Sequence, residues 1–98
     1  MITAIVLVDT DVTKIPEAAE KIAEIEHVSE VYSVTGDTDL VAMVRVREHE
    51  ELADVIADRV SKIPGVRNTK TYIAFRTYSR HDLEAAFALG FEDDEPPG

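Results

Sequence analysis

Hydrophobic positions along this chain recur with a period of 38 residues. Val6 and Val8 return as Val44 and Val46, Ala18 and Ile22 as Ile56 and Val60, Ile25 as Ile63, and Val28 as Val66. Within each copy the period changes. A short continuous apolar run comes first, then apolar residues three and four apart, then alternation. That succession reads strand, helix, strand. Two copies give β-α-β-β-α-β, an α+β, ferredoxin-like chain with a four-stranded antiparallel sheet and two helices on one face.

The first strand covers residues 1–8, with Ile5 and Leu7 as apolar as Val6 and Val8. Thr13 is the expected N-cap of the first helix, and Pro16 is tolerated in its first turn, where its missing N–H needs no partner. Ile15, Ala18, Ala19, Ile22 and Ile25 supply its buried stripe. Strands over 28–35 and 39–47 are joined by Gly36-Asp37-Thr38, short enough to require an antiparallel hairpin. A second helix spans 48–63, with Leu52, Val55, Ile56, Val60 and Ile63 inward and Pro64-Gly65 ending it. Alternation from 66 to 78 predicts a long fourth strand. Thr69, Thr71, Ile73 and Phe75 fall on one face and Lys70, Tyr72, Ala74 and Arg76 on the other. Residues 1–78 thus form the domain. Ser79 caps a short helix over 79–90, and 91–98 is an acidic, disordered tail.

Two helices cover only one face of such a sheet. Strands one and three are nevertheless apolar at positions of both parities, including Val41 and Met43. The second face therefore predicts a homodimer, in which two sheets pack into a barrel-like assembly.

Charge narrows the function. The chain has 98 residues and a net charge of -10. Half of that excess lies in residues 79–98, while 66–78 carry Arg67, Lys70 and Arg76 and no acid. The chain as a whole lacks the basic footprint that direct nucleic-acid binding needs. It has no cysteine, which excludes disulfides and thiolate chemistry. No apolar run approaches a membrane span, and the first residues read as a strand rather than a signal peptide. A cytoplasmic protein that does not engage membranes is expected.

Candidate chemistry is sparse. His27, His49 and His81 share no metal-ligand spacing, no serine sits in a nucleophile-elbow context, and no glycine-rich loop could cradle a phosphate. Neither a metal nor a cofactor is expected. The hairpin Thr35-Gly36-Asp37-Thr38-Asp39 is the exception. Gly36 can adopt positive φ and free backbone N–H groups for a carboxylate, and Asp37 and Asp39 can receive an ammonium group. The same residues also make an ordinary turn.

The stretch Val28-Ser-Glu-Val-Tyr-Ser-Val-Thr-Gly-Asp-Thr-Asp-Leu40, the helix exit Ile63-Pro-Gly-Val66 and the following Thr69-Lys-Thr71 resemble the C-terminal RAM (regulation of amino acid metabolism) domain of Lrp/AsnC regulators. The resemblance covers roughly residues 2 to 77. It implies a sheet-mediated homodimer, further assembly up to an octamer, and an amino acid or related small metabolite bound between subunits. It further implies that Thr35, Gly36, Asp37, Asp39 and Leu40 line that cleft, with hydroxyls from Thr69 and Thr71. Family regulators carry an N-terminal helix-turn-helix that this sequence does not show. A stand-alone RAM protein is therefore expected, with a full-length Lrp/AsnC regulator as a partner.

The leading expectation is thus a non-enzymatic amino-acid sensor that acts in transcription regulation through its oligomer. Two alternatives stand beside it. One is a small dimeric ferredoxin-like enzyme of the monooxygenase or isomerase type, which needs an inward-facing catalytic group or a cofactor. The other is a structural oligomerisation module without a ligand.

Overall fold

A computed structural model describes residues 1–78 and Arg80. The helix expected over 79–90 and the tail over 91–98 lie outside the described residues. Strand β1 (Ile2–Thr10) is followed by one turn of 3-10 helix (Val12–Lys14), helix α1 (Ile15–Ala23), strands β2 (Val28–Ser33) and β3 (Leu40–Val46), helix α2 (residues 49–62) and strand β4 (Val66–Ile73). The sheet is antiparallel throughout, in the order β2-β3-β1-β4. This is the ferredoxin-like arrangement. The strands that are apolar at both parities, β1 and β3, are its two central strands.

Ala4, Val6, Val8 and Thr10 of β1 and Leu40, Ala42, Val44 and Val46 of β3 point to the helices and are buried. They close over Ala18 and Ile22 of α1 and Leu52, Val55 and Val60 of α2. The intervening residues Ile5, Leu7, Val41 and Met43 face the other way and are only half-buried. Cross-strand pairing places Ile5 between Met43 and Tyr72, and Leu7 between Val41 and Lys70. Tyr32 lies opposite Val41 on the far side of β3. The open face is therefore an apolar centre flanked by two exposed tyrosines.

Local chemistry departs from the sequence expectation in three places. Asp11, not Thr13, makes the cap at the first helical entry. Its Oδ1 accepts from the Thr13 backbone N–H at 3.0 Å and from the Thr13 hydroxyl at 2.9 Å. Thr13 is the group being capped, because the 3-10 turn starts one residue after Asp11.

Helix α2 is not uniformly α-helical. It is α over His49–Ala53, winds as a π-helix over Asp54–Arg59 and tightens to 3-10 over Val60–Lys62. The Val60 N–H reaches the carbonyl of Val55 as well as that of Ile56. A five-residue step therefore keeps both Val55 and Val60 inward and leaves Ile56 half-buried. At the start of α2, Glu51 Oε1 accepts from the Glu48 N–H at 3.0 Å and the Arg47 N–H at 3.2 Å.

Strand β4 stops at Ile73 rather than 78. The Ala74 N–H still donates to the Thr3 carbonyl at 2.8 Å, but β1 begins at Ile2 and offers no partner beyond. Alternation therefore continues in the sequence past the last strand that could pair with it. Strand β2 likewise ends at Ser33, two residues before the expected limit.

Candidate functional site

The β2–β3 hairpin is fastened to the end of β1. The Val34 N–H donates to the Asp39 carbonyl at 3.0 Å, closing the turn. The Asp39 N–H and the Thr38 hydroxyl both donate to the Val8 carbonyl, at 3.2 and 3.1 Å. Asp39 Oδ2 accepts from the Thr10 N–H at 2.8 Å. That N–H faces the β3 side of β1 beyond the last β1–β3 pair, Val8 with Leu40, so the Asp39 carboxylate satisfies a donor the ladder leaves out. Gly36 has φ of +118° and projects into open space. The left-handed backbone alone accounts for glycine there.

Next to this hairpin the open face sinks into a cleft of about 190 Å³. Leu7, Asp9, Asp37, Thr38, Asn68 and Lys70 line it. Asp9 lies directly across from Asn68, and Leu7 across from Lys70. Asp37 and Thr38 come over from the hairpin. The side chains of Asp9, Asp37, Asn68 and Lys70 make no hydrogen bond or ion pair among the described residues. Two carboxylates, an amide and an ammonium group therefore converge with their bonding capacity unspent.

Of the predicted site residues, only Asp37 lines this cleft directly. Thr35, Gly36 and Asp39 build the turn that carries it. Leu40 is fully buried in the core, so only its backbone faces the hairpin. Thr69 and Thr71 pair with Val8 and Val6 and lie on the helix-covered face. Within one chain the sheet separates them from the cleft. Thr38 belongs to the hairpin singled out in the sequence, whereas Asp9, Asn68 and Lys70 were not among the predicted site residues. Alternation does place Lys70 opposite to Thr69 and Thr71. Bringing it beside Asp9 requires the β1–β4 register, which no spacing in the sequence records.

A larger groove of about 460 Å³ lies at the opposite end of the sheet and includes Glu26, His27, Arg45, Arg47 and Glu51. His27 has φ of 78° there. Its carbonyl accepts from the Arg45 N–H at 2.9 Å, and its Nε2 lies 3.3 Å from Glu51 Oε2. Glu51 is thus engaged at both oxygens, and the contacts tie the α1–β2 turn to the start of α2. Among the described residues no three His, Asp or Glu side chains are grouped to hold a metal ion.

Among the described residues two groups are shifted from their ordinary values. Backbone and side-chain hydrogen bonds from Thr13 hold the Asp11 carboxyl low. The Tyr32 hydroxyl donates to the Glu30 carboxylate, which holds the phenol high.

Fold and site together describe a ferredoxin-like domain whose helix-free face carries a polar cleft beside the β2–β3 hairpin. The chain belongs to the Lrp/AsnC ligand binding domain family, whose sequence model matches residues 3–83. It is 37% identical over 75 residues to the HTH-type transcriptional regulator FL11 of Pyrococcus horikoshii, a match covering 76% of this chain and 49% of that protein. The chain spans about half the length of the curated relatives it matches. Among solved structures it is similar to TTHA0845 from Thermus thermophilus, with a TM-score of 0.78 and 48% identity over 82% of this chain and 100% of the other. It is also similar to the feast or famine regulatory protein Rv3291c of M. tuberculosis, solved in complex with L-methionine. There the TM-score is 0.68 and the identity 30%, over 82% of this chain and 54% of the other. This is a regulator-type domain, homologous to transcription regulators. No helix among the described residues is long and apolar enough to cross a membrane.

Proposed function

We propose that this domain is a non-enzymatic sensor that binds an amino acid, or a closely related small metabolite, in the cleft beside the β2–β3 hairpin. The observation that carries this reading is the set of unspent groups of both signs on one small concavity. Lys70 can take a carboxylate, Asp9 and Asp37 can take an ammonium, and Asn68 can serve either. A zwitterion needs both kinds of partner within one molecule's reach. The L-methionine held by the 30% identical mycobacterial regulator is a ligand of this kind.

The cleft opens on the same face as Ile5, Leu7, Val41 and Met43. A second copy packed on that face would cover the apolar centre and border the cleft. Occupancy would then be linked to assembly, because a ligand held at an interface stabilises the assembly that forms its site. The output would be a change in oligomer, homomeric or shared with a full-length regulator of the same family.

Thermal unfolding of the purified protein against the twenty amino acids tests the reading, with Lys70→Ala as the control. A ligand at 100 times its dissociation constant adds about 2.7 kcal/mol. For a domain of this size that raises Tm by roughly 10 °C or more. One or a few stabilising amino acids, lost in Lys70→Ala, is the expected result. A flat panel overturns it.

A further inference from the structure

We propose that the ligand class of this cleft is the cationic amino acids, those whose side chain carries an ammonium or guanidinium group. The inference rests on the hairpin cleft being the ligand site and follows from its charge count. The cleft presents two carboxylates, Asp9 and Asp37, and one ammonium, Lys70. None of the three is neutralised by another described residue. A zwitterion with a neutral side chain uses Lys70 for its carboxylate and one aspartate for its α-ammonium. The other aspartate then stays unpaired beside a bound ligand that has displaced its water, which is unfavourable.

A second positive group on the ligand completes the pairing. The bound state then has two carboxylates of the protein facing two cations of the ligand, and Lys70 facing the ligand carboxylate. An acidic amino acid does the reverse, bringing a second carboxylate to a cleft with one cation and two anions. The net charge of -10 over the whole chain adds to the preference for a positive ligand.

The apolar share of the wall fits the same class. Leu7 is the hydrophobic side chain that lines the cleft, and it lies between the polar groups on the strand floor: Lys70 across from it and Asp9 two residues along. A straight methylene stem can run over Leu7 with charged groups at both ends. The volume is small against that of drug-sized ligand pockets and suits a single amino acid.

The test is isothermal titration of the purified protein with L-lysine, L-ornithine and L-arginine against L-norleucine, L-methionine and L-glutamate at low ionic strength. Norleucine has the lysine stem without its ammonium. Lysine is expected to bind about tenfold more tightly than norleucine, the effect of one charge-assisted hydrogen bond. Glutamate is expected to bind most weakly. Asp9→Asn and Asp37→Asn, both exposed or half-exposed substitutions that keep shape, are expected to bring lysine down to the affinity of norleucine in at least one variant. Norleucine or methionine binding as tightly as lysine overturns the ligand class while leaving the cleft as the site. Lysine preference that survives both asparagine variants overturns the assignment of the cation to these carboxylates. Failure of every amino acid to bind overturns the cleft itself, and the ligand class with it.

Discussion

The Thr10 backbone N–H donates to Asp39 Oδ2 across 2.8 Å, joining the last residue of β1 to the residue just before β3. The bond takes up a donor on the β3 side of β1, just past Val8 and Leu40, where the β1–β3 pairing ends. It also fixes the base of the hairpin whose tip carries Asp37 and Thr38 into the cleft. One carboxylate thus satisfies a backbone donor that the sheet does not and holds the turn at a set height above the open face.

Removing that carboxylate should cost stability first and binding second. Asp39→Ala leaves a half-buried N–H without its acceptor, a loss of about 1–3 kcal/mol. Each kcal/mol lowers Tm by roughly 4–8 °C at this size. The domain should remain folded, and its ligand affinity should fall because the hairpin is less fixed. Asp39→Asn keeps an acceptor oxygen and should recover most of the loss. Thermal melts of the two variants decide it; equal Tm for Asp39→Ala and the parent would show that the bond contributes nothing.

Much of the fold was legible because its two main signals are redundant. The 38-residue repeat carries the order of strands and helices, and the apolarity of β1 and β3 at both parities marks them as strands with two apolar faces, which the structure places at the centre of the sheet. The cleft was less legible. Asp37 was visible as a turn residue with a charge to offer, but Asp9, Asn68 and Lys70 become neighbours only through strand register. Thr69 and Thr71 sit on the wrong side of the sheet to meet them in one chain, although the period-2 pattern already separated them from Lys70. The π-helical segment of α2 was hidden for a different reason. Leu52, Val55, Ile56, Val60 and Ile63 are compatible with a continuous α-helix, and packing against the sheet selects Val55 with Val60 instead.

Gly36 and Gly65, the positive-φ glycines among the described residues, should respond unequally to the same substitution. Gly65 has φ of +95°, and a Cβ there would stand 2.7 Å from Lys14 Cβ. The Gly65 carbonyl also accepts from the Asp11 N–H at 2.8 Å, so the turn cannot move away without losing that bond. Gly65→Ala therefore carries backbone strain of about 1–2 kcal/mol and a steric clash in addition. Gly36→Ala meets open space and carries the backbone term alone. Denaturant unfolding should rank parent, Gly36→Ala, Gly65→Ala in falling stability. A Gly36→Ala loss as large as that of Gly65→Ala would contradict the packing seen around Gly65.

Asp11 predicts a pH dependence. Hydrogen bonds from the Thr13 N–H and hydroxyl favour its ionised form and lower its folded pKa below the unfolded value. Stability from this group is therefore full above the unfolded aspartate value, about pH 4, and is lost as pH falls through the lower folded value. Asp11→Ala should be less stable than the parent at pH 7, with the gap narrowing as pH drops below about 4. Melts of both proteins across that range provide the check. A gap that stays constant with pH would mean that the Asp11 charge makes no contribution.

The open sheet face makes the last prediction. Met43 and Ile5 are cross-strand partners at its centre, half-buried in the single chain, with Tyr72 beyond Ile5 and exposed. If a second copy covers this face, a charge at Met43 is placed in the middle of an apolar interface with no partner, where desolvation penalises it heavily. The same charge on an uncovered face meets water and costs little. Met43→Lys should therefore shift the protein to monomer in size-exclusion chromatography with light scattering while its far-UV circular dichroism stays that of the parent. Lys70→Ala, at the rim of the same face, should leave the oligomer intact and affect ligand binding alone. An unchanged oligomer in Met43→Lys would move the interface off the sheet, and the cleft beside Asp37 would then have to bind its ligand within one chain.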